Sequence, residues 1–66
     1  MFKIEKFKAA LMECGLSVAD AAAAMGISKQ ALYRKMNGEC AFYREEIQVF
    51  RKITKRDNVD DIFFAE

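Results

Sequence analysis

The chain of 66 residues is predicted to adopt an all-α fold, a compact bundle of five helices. Proline is absent, alanine is abundant, and apolar residues recur at helical spacing, while no stretch alternates as a half-buried strand does. A chain of this length buries roughly 60% of the surface that it exposes when unfolded, which suffices for one core. We therefore expect residues 1–66 to form a single domain.

The first helix is predicted at about residues 3–14, where apolar side chains recur every three or four residues. These side chains are Ile4, Phe7, Ala10, Leu11 and Cys14. Gly15 follows directly and is typical of a helix C-terminal end.

Ser17 is predicted to cap the second helix, and Asp20, three residues later, completes a capping box in which aspartate replaces the usual glutamate. Gly26 is expected to end this helix. Its apolar side consists of Val18, Ala21, Ala22 and Met25. The alanine run 21–24 has two interpretations, low complexity or a helix thin enough for close packing, and we favour the second.

The third helix is predicted between the cap Ser28 and Asn37, with Gly38 as its stop. Its inward residues are expected to be Leu32 and Met36, with Ile27 filling the preceding turn. The fourth helix covers about residues 44–54, with Ile47, Phe50, Ile53 and Thr54 on one side.

A polar break at residues 55–58 precedes a short last helix, which Asp57 or Asn58 is expected to cap. Its inward residues are predicted to be Val59, Ile62 and Phe63. Phe63 and Phe64 are adjacent, so one of them, together with Val49, forms an exposed patch for self-association, or both belong to the core and its frayed end.

Charge and residue types restrict the function. The formal net charge is +1, so a nucleic-acid partner is indicated only by where the charges lie. Histidine is absent, which removes the usual metal ligand and general base. The two cysteines, Cys14 and Cys40, are expected to be reduced thiols, with a redox switch at Cys40 as the alternative. We expect no enzyme activity, no cofactor, no metal and no small-molecule ligand.

The second and third helices are joined only by "GIS", residues 26–28, and their spacing predicts a helix-turn-helix over about residues 17–37. Ala22 is small where a second helix crosses, Gly26 tolerates positive φ in the turn, and Leu32 supplies the apolar anchor six residues later. These three matches at fixed spacing favour the motif over an arbitrary helical hairpin.

The outer side of the third helix carries hydrogen-bond donors and no acid. At 100° per residue, Arg34 points away from Leu32, and residues 26–38 contain no carboxylate. Arginine, lysine and glutamine can bond to base edges, and a helix lying between two rows of phosphates must avoid carboxylates. The alternative is that these basic residues only solvate an exposed helix.

"GLSVADAAAAMGISKQALYRKMNGE", followed by "FYREEIQVFRKI" and "DDIFFAE", resembles the phage repressor and Cro type of helix-turn-helix regulator over almost the whole chain. The resemblance implies a five-helix bundle whose third helix contacts bases in the major groove. It implies base contacts by Lys29, Gln30, Tyr33 and Arg34. It implies phosphate contacts by Ser17, Ser28, Lys35, Asn37 and Arg44.

Two positions depart from the family pattern. Val18 stands where a glutamine usually grips phosphate, which puts one phosphate contact in doubt and should weaken binding. Tyr43 stands where a serine or threonine usually caps the fourth helix, and it is expected either to pack or to touch the DNA backbone through its hydroxyl.

The sequence as a whole predicts a sequence-specific DNA-binding transcriptional regulator, encoded by a phage or prophage and acting as a repressor or Cro-like switch by occupying an operator. We expect a homodimer on double-stranded DNA, with half-sites about 34 Å apart. The alternative is a protein-interaction module without DNA binding, such as an antitoxin-like partner. With no apolar run of about 18 residues, the chain is expected to be cytoplasmic and nucleoid-associated, away from membranes.

Overall fold

In the computed structural model, which describes residues 2–64, the described chain contains five α-helices and no strand. They are α1 (Ile4–Glu13), α2 (Val18–Met25), α3 (Lys29–Met36), α4 (Arg44–Thr54) and α5 (Asp60–Phe63). Their Cα atoms occupy 27 × 24 × 20 Å, a compact globule. The predicted all-α class is confirmed.

The capping box predicted for α2 is present. The Ser17 hydroxyl accepts a hydrogen bond from the Asp20 N–H at 3.1 Å, and the Asp20 carboxylate accepts one from the Ser17 N–H at 2.8 Å. Two of the four unpaired N–H groups that open every helix are satisfied in this way. Local sequence therefore fixes where α2 begins.

The N-terminal ends of α3, α4 and α5 differ in how well their caps were predicted. The Ser28 hydroxyl accepts from the Ala31 N–H at 3.0 Å, as expected for α3. At α4 the Glu46 carboxylate accepts from the Tyr43 N–H at 2.8 Å, while the Tyr43 side chain makes no cap hydrogen bond. The N-cap residue of α5 is Val59 and not Asp57 or Asn58 as predicted, although the Asn58 side-chain oxygen accepts from the Asp60 N–H at 2.9 Å.

Helix α2 occupies the centre of the bundle, since it contacts α1, α3 and α4. Its two fully buried residues are Ala21 and Ala22. An alanine contributes only one methyl group, so neighbouring helices can approach closely without displacing side chains. The alanine run is thus a packing surface on one side, while Ala23 and Ala24 on the other side are exposed.

Five phenylalanine rings fill the space between α1, α4 and α5. Phe7 stacks on Phe50 with ring centroids 4.5 Å apart, and Phe63 meets Phe50 edge-on at 5.4 Å. Phe2 and Phe42 close the cluster, 4.9 Å apart. Such offset and edge-on pairs are the arrangements that aromatic quadrupoles favour.

Residues at the centres of the predicted apolar stripes are buried, whereas some residues at their ends are half-buried or exposed. Phe7, Leu11, Leu32 and Phe50 are fully buried, whereas Cys14 is exposed. The uncertainty over the two adjacent phenylalanines is resolved by burial. Phe63 belongs to the core, and Phe64 is 61% exposed. None of the helices within residues 2–64 combines the length and the apolar character that crossing a membrane requires.

Enlarging Ala22 should destabilise the bundle. Ala22→Leu adds volume at a residue that is 2% exposed, and overpacking of this kind costs typically 1–3 kcal/mol. Ala24→Leu, on the exposed side of the same helix, is the matched control and should change stability by about 0.5 kcal/mol or less. Urea unfolding of both variants measures the difference, and equal stabilities would show that α2 is not closely packed.

Candidate nucleic-acid interface

The turn between α2 and α3 is fixed by its backbone. Gly26 adopts the left-handed conformation with φ 73°, which an L-residue with a Cβ rarely adopts. Its N–H donates to the Ala23 carbonyl at 3.1 Å, and the Ile27 N–H donates to the Ala22 carbonyl at 3.0 Å. Leu32 is fully buried and holds α3 in the core. The orientation of α3 about its own axis is therefore set.

With that orientation, the four predicted base-contacting residues share one exposed side of α3. They are Lys29, Gln30, Tyr33 and Arg34. Positions 29 and 33, and positions 30 and 34, are each one helical turn apart, so the four side chains form a continuous surface, named here the α3 donor surface. Its one aromatic residue, Tyr33, is 37% exposed, and the Lys29 ammonium lies 6.0 Å from that ring centroid.

The charge of the α3 donor surface is not neutralised from within the described part of the chain. No carboxylate occurs in residues 26–38, and none of the described acids lies within 4.0 Å of the charged atoms of Lys29 or Arg34. By contrast, Arg56 on another side of the bundle pairs with Glu13 at 3.1 Å. The two cations of the donor surface are free to interact with an anionic partner.

Four of the five predicted phosphate contacts are exposed, and three of them flank α3 or begin the next helix. Ser28 precedes α3, Asn37 ends it, and Arg44 begins α4. The Ser28 oxygen accepts the cap hydrogen bond, which leaves its O–H free to donate. These positions lie at both ends of α3 and at the start of the next helix.

Ser17 is a correction to the predicted set. Its N–H and its hydroxyl both donate to the Asp20 carboxylate, at 2.8 and 3.0 Å, so both donors are already engaged. These hydrogen bonds hold the pKa of Asp20 below its ordinary value of 3.8, and the bond from the Ser17 backbone contributes more than the bond from its side chain. A carboxylate at the start of α2 repels phosphate, and we withdraw Ser17 as a phosphate contact.

Lys35 is the second correction. It was predicted to contact phosphate, but its side chain is only 9% exposed. The ammonium lies 3.1 Å from the Glu46 carboxylate, donates to the Ala41 carbonyl at 3.0 Å, and lies 4.3 Å from the Tyr43 ring centroid. The ammonium of a lysine so buried and paired is not directed to solvent. Lys35 therefore joins α3 to Ala41 and Glu46 and does not contact phosphate.

A signal for this burial is present in the sequence. Lys35 lies three residues after Leu32 and beside Met36, which places it on the inward half of α3. Glu46 stands three residues after Tyr43, the position from which a glutamate returns to cap its own helix. Nothing local, however, indicates that the two side chains meet.

The two positions that depart from the family pattern have ordinary structural roles. Val18 is half-buried and packs against the core, while the Tyr43 ring is 66% exposed beside the Lys35 ammonium. Within residues 2–64, no three histidine, cysteine or acidic side chains gather into a group able to hold a metal ion.

The chain matches no known protein family, no curated protein and no solved structure.

Removing the Asp20 charge should weaken the start of α2 in a pH-dependent way. A carboxyl whose pKa is lowered on folding stabilises the protein above its unfolded-state pKa, and that stabilisation is lost as the pH falls through the folded-state pKa. Asp20→Asn should therefore be less stable than wild type at pH 7, and the difference should shrink below about pH 4. Urea midpoints across this pH range measure it.

The matched control is Glu45→Gln, which removes an exposed first-turn acid of α4 that makes no cap hydrogen bond in the described structure. It should lower stability at pH 7 by less than Asp20→Asn. A stability difference for Asp20→Asn that stays constant from pH 7 to pH 3 would contradict the role given to this carboxylate.

Proposed function

We propose that the chain is a sequence-specific DNA-binding transcriptional regulator of the phage repressor and Cro type, in which α2 and α3 form a helix-turn-helix. The observation that carries the proposal is the α3 donor surface, an exposed and acid-free side of a helix whose opposite side is anchored in the core. In this proposal α3 lies in the DNA major groove, and the protein acts in the cytoplasm by occupying an operator.

The dimensions support this placement. An α-helix with its side chains is about 10–12 Å across, and the major groove, about 12 Å wide, admits one. Arg34 is suited to the O6 and N7 acceptors of guanine, and Gln30 to the N6 and N7 atoms of adenine. Lys29 and Tyr33 add donors beside them.

Phosphate contacts would position α3 in the groove. Arg44 supplies a cation without a carboxylate partner among the described residues, and Ser28 and Asn37 supply neutral donors. Contacts to phosphate fix the register of a protein on DNA but do not distinguish sequences. The set left after correction is therefore Ser28, Asn37 and Arg44.

In this proposal the protein binds DNA as a homodimer, which its size supports. The Cα atoms of one copy extend 27 Å at most, whereas successive major-groove faces of DNA recur about every 34 Å. One copy contacts a single half-site, and two copies related by a twofold axis contact a palindrome. Selection of bound sequences from a random duplex library tests the proposal, since it should return a palindrome. A library without enrichment would refute it.

Arg34→Ala should relax base preference at one position of the selected site and cost about 1–3 kcal/mol of binding free energy. Fluorescence anisotropy with the selected duplex and its single-base variants measures both effects. Lys8→Ala, an exposed lysine on α1, is the matched control and should bind as wild type does. Unchanged discrimination in Arg34→Ala would remove this residue from the base contacts.

Arg44→Ala should behave differently, because a phosphate contact carries no sequence information. Affinity should fall by a similar factor for all duplexes, and the slope of log K against log salt should decrease in magnitude by about 0.9. A salt titration on matched and scrambled duplexes measures this slope. A loss confined to one sequence would assign Arg44 to the bases instead.

A second candidate function is a protein-interaction module on the same fold. It is favoured by the exposed Phe64, which borders a groove of about 710 Å³ between α4 and the segment leading into α5. Phe42, Ile47 and Val59 supply the apolar part of its lining. Charged residues also line the groove, namely Arg44, Arg51, Asp57 and Asp60. Binding to DNA through the donor surface would weaken steeply with salt because counterions are released from the phosphates. Binding to a protein through this groove would lack that release and would depend on salt less steeply.

A further inference from the structure

We infer that the buried pair Lys35 and Glu46 positions the phosphate-contacting segment against α3, without either residue touching DNA. The inference rests on the proposed function, since it concerns how the two parts of that interface are held in register. Lys35 and Glu46 are positioning residues, and the group through which they act is Arg44.

The pair is joined by more than one contact. The Lys35 ammonium lies 3.1 Å from the Glu46 carboxylate and donates to the Ala41 carbonyl at 3.0 Å. The same Glu46 carboxylate accepts from the Tyr43 N–H at 2.8 Å, and the Tyr43 ring lies 4.3 Å from the ammonium. One cation thus holds the backbone at residue 41 and the cap of α4 together.

The place of these contacts in the chain gives them their role. Lys35 directly follows Arg34 of the donor surface, while Tyr43 directly precedes Arg44. Residues 37–43 connect the two and contain no helix or strand. The segment has other anchors as well: the Gly38 and Glu39 N–H groups donate to the Lys35 and Arg34 carbonyls, and the Phe42 ring packs 5.0 Å from Phe63. Helix α4 packs mainly on α2, and the Lys35 contacts tie its first turn to α3, next to Arg44.

Stability alone does not account for a buried lysine and glutamate here. Replacing a buried ion pair by apolar residues of similar volume is often neutral or stabilising, because two charges no longer have to be desolvated. The pair instead fixes the relative position of the segments that it joins, because its hydrogen bonds have fixed partners and directions. The cations of a DNA-binding surface must lie where the two rows of phosphates are. A segment that is already fixed in this position binds more tightly, because less conformational entropy is lost on binding.

The test variant is Lys35→Met/Glu46→Gln. Methionine keeps the length of the lysine stem, glutamine can still accept from the Tyr43 N–H, and no charge is left buried without a partner. Lys8→Met is the matched control for loss of one lysine. Thermal unfolding identifies the temperature range in which each variant is folded, and all measurements are made within it.

Two readouts follow. The first is the backbone order of residues 39–42 by ¹⁵N relaxation without DNA, where order parameters should fall from about 0.85 toward 0.6 or below. The second is binding to the selected duplex and a scrambled one. Both affinities should fall by a similar factor, and the salt slope should decrease in magnitude by about 0.9, as for one lost phosphate contact.

Combination with Arg44→Ala shows whether the pair acts through that residue. In the Arg44→Ala background, Lys35→Met/Glu46→Gln should cause no further loss of affinity, because the contact that the pair positions is already gone. Additive losses, an unchanged salt slope or an unchanged loop would each overturn the positioning role while leaving the proposed function standing. A wild-type protein that binds no duplex would overturn both.

Discussion

The close approach of neighbouring helices to α2 at Ala21 and Ala22 is the constraint on which the rest of the structure depends. Both alanines are buried, and their helix contacts α1, α3 and α4. Because α2 is thin on this side, Leu32 of α3 and Phe50 of α4 reach one common core cluster. Once Leu32 is inside, helical geometry turns Gln30 and Arg34 outward. The donor surface is thus a consequence of how α2 packs.

Much of the fold follows from local sequence. Ser17 with Asp20, and Ser28 ahead of α3, give helix starts that need no tertiary information, because each cap is a hydrogen bond within three residues. Gly26 marks the turn for an equally local reason. The bounds of α4 were predicted without error, because its apolar residues recur at helical spacing and a polar segment follows at residues 55–58. Periodicity also placed Gln30, Tyr33 and Arg34 outside but put Lys29 nearer the buried edge, and the structure exposes all four.

Two site residues were misassigned because their side chains make internal contacts that the local sequence does not show. Lys35 was assigned to phosphate because it is basic and close to the donor surface, yet Glu46, eleven residues on, holds it inside. Ser17 was assigned to phosphate from its position. The capping box recognised in the sequence uses its N–H as a donor, and only the structure shows that its hydroxyl also donates to Asp20.

The central claim is that one exposed side of α3, together with the start of α4, is the surface that meets DNA. Titration of ¹⁵N-labelled protein with the selected duplex, followed by two-dimensional NMR, tests it most directly. The account predicts that amide signals of residues 28–37 and of Arg44 shift, while those of α1 keep their positions. Shifts confined to Arg44 and the rest of the groove that it lines with Phe64, without shifts in residues 28–37, or no shift at any DNA concentration, would contradict it.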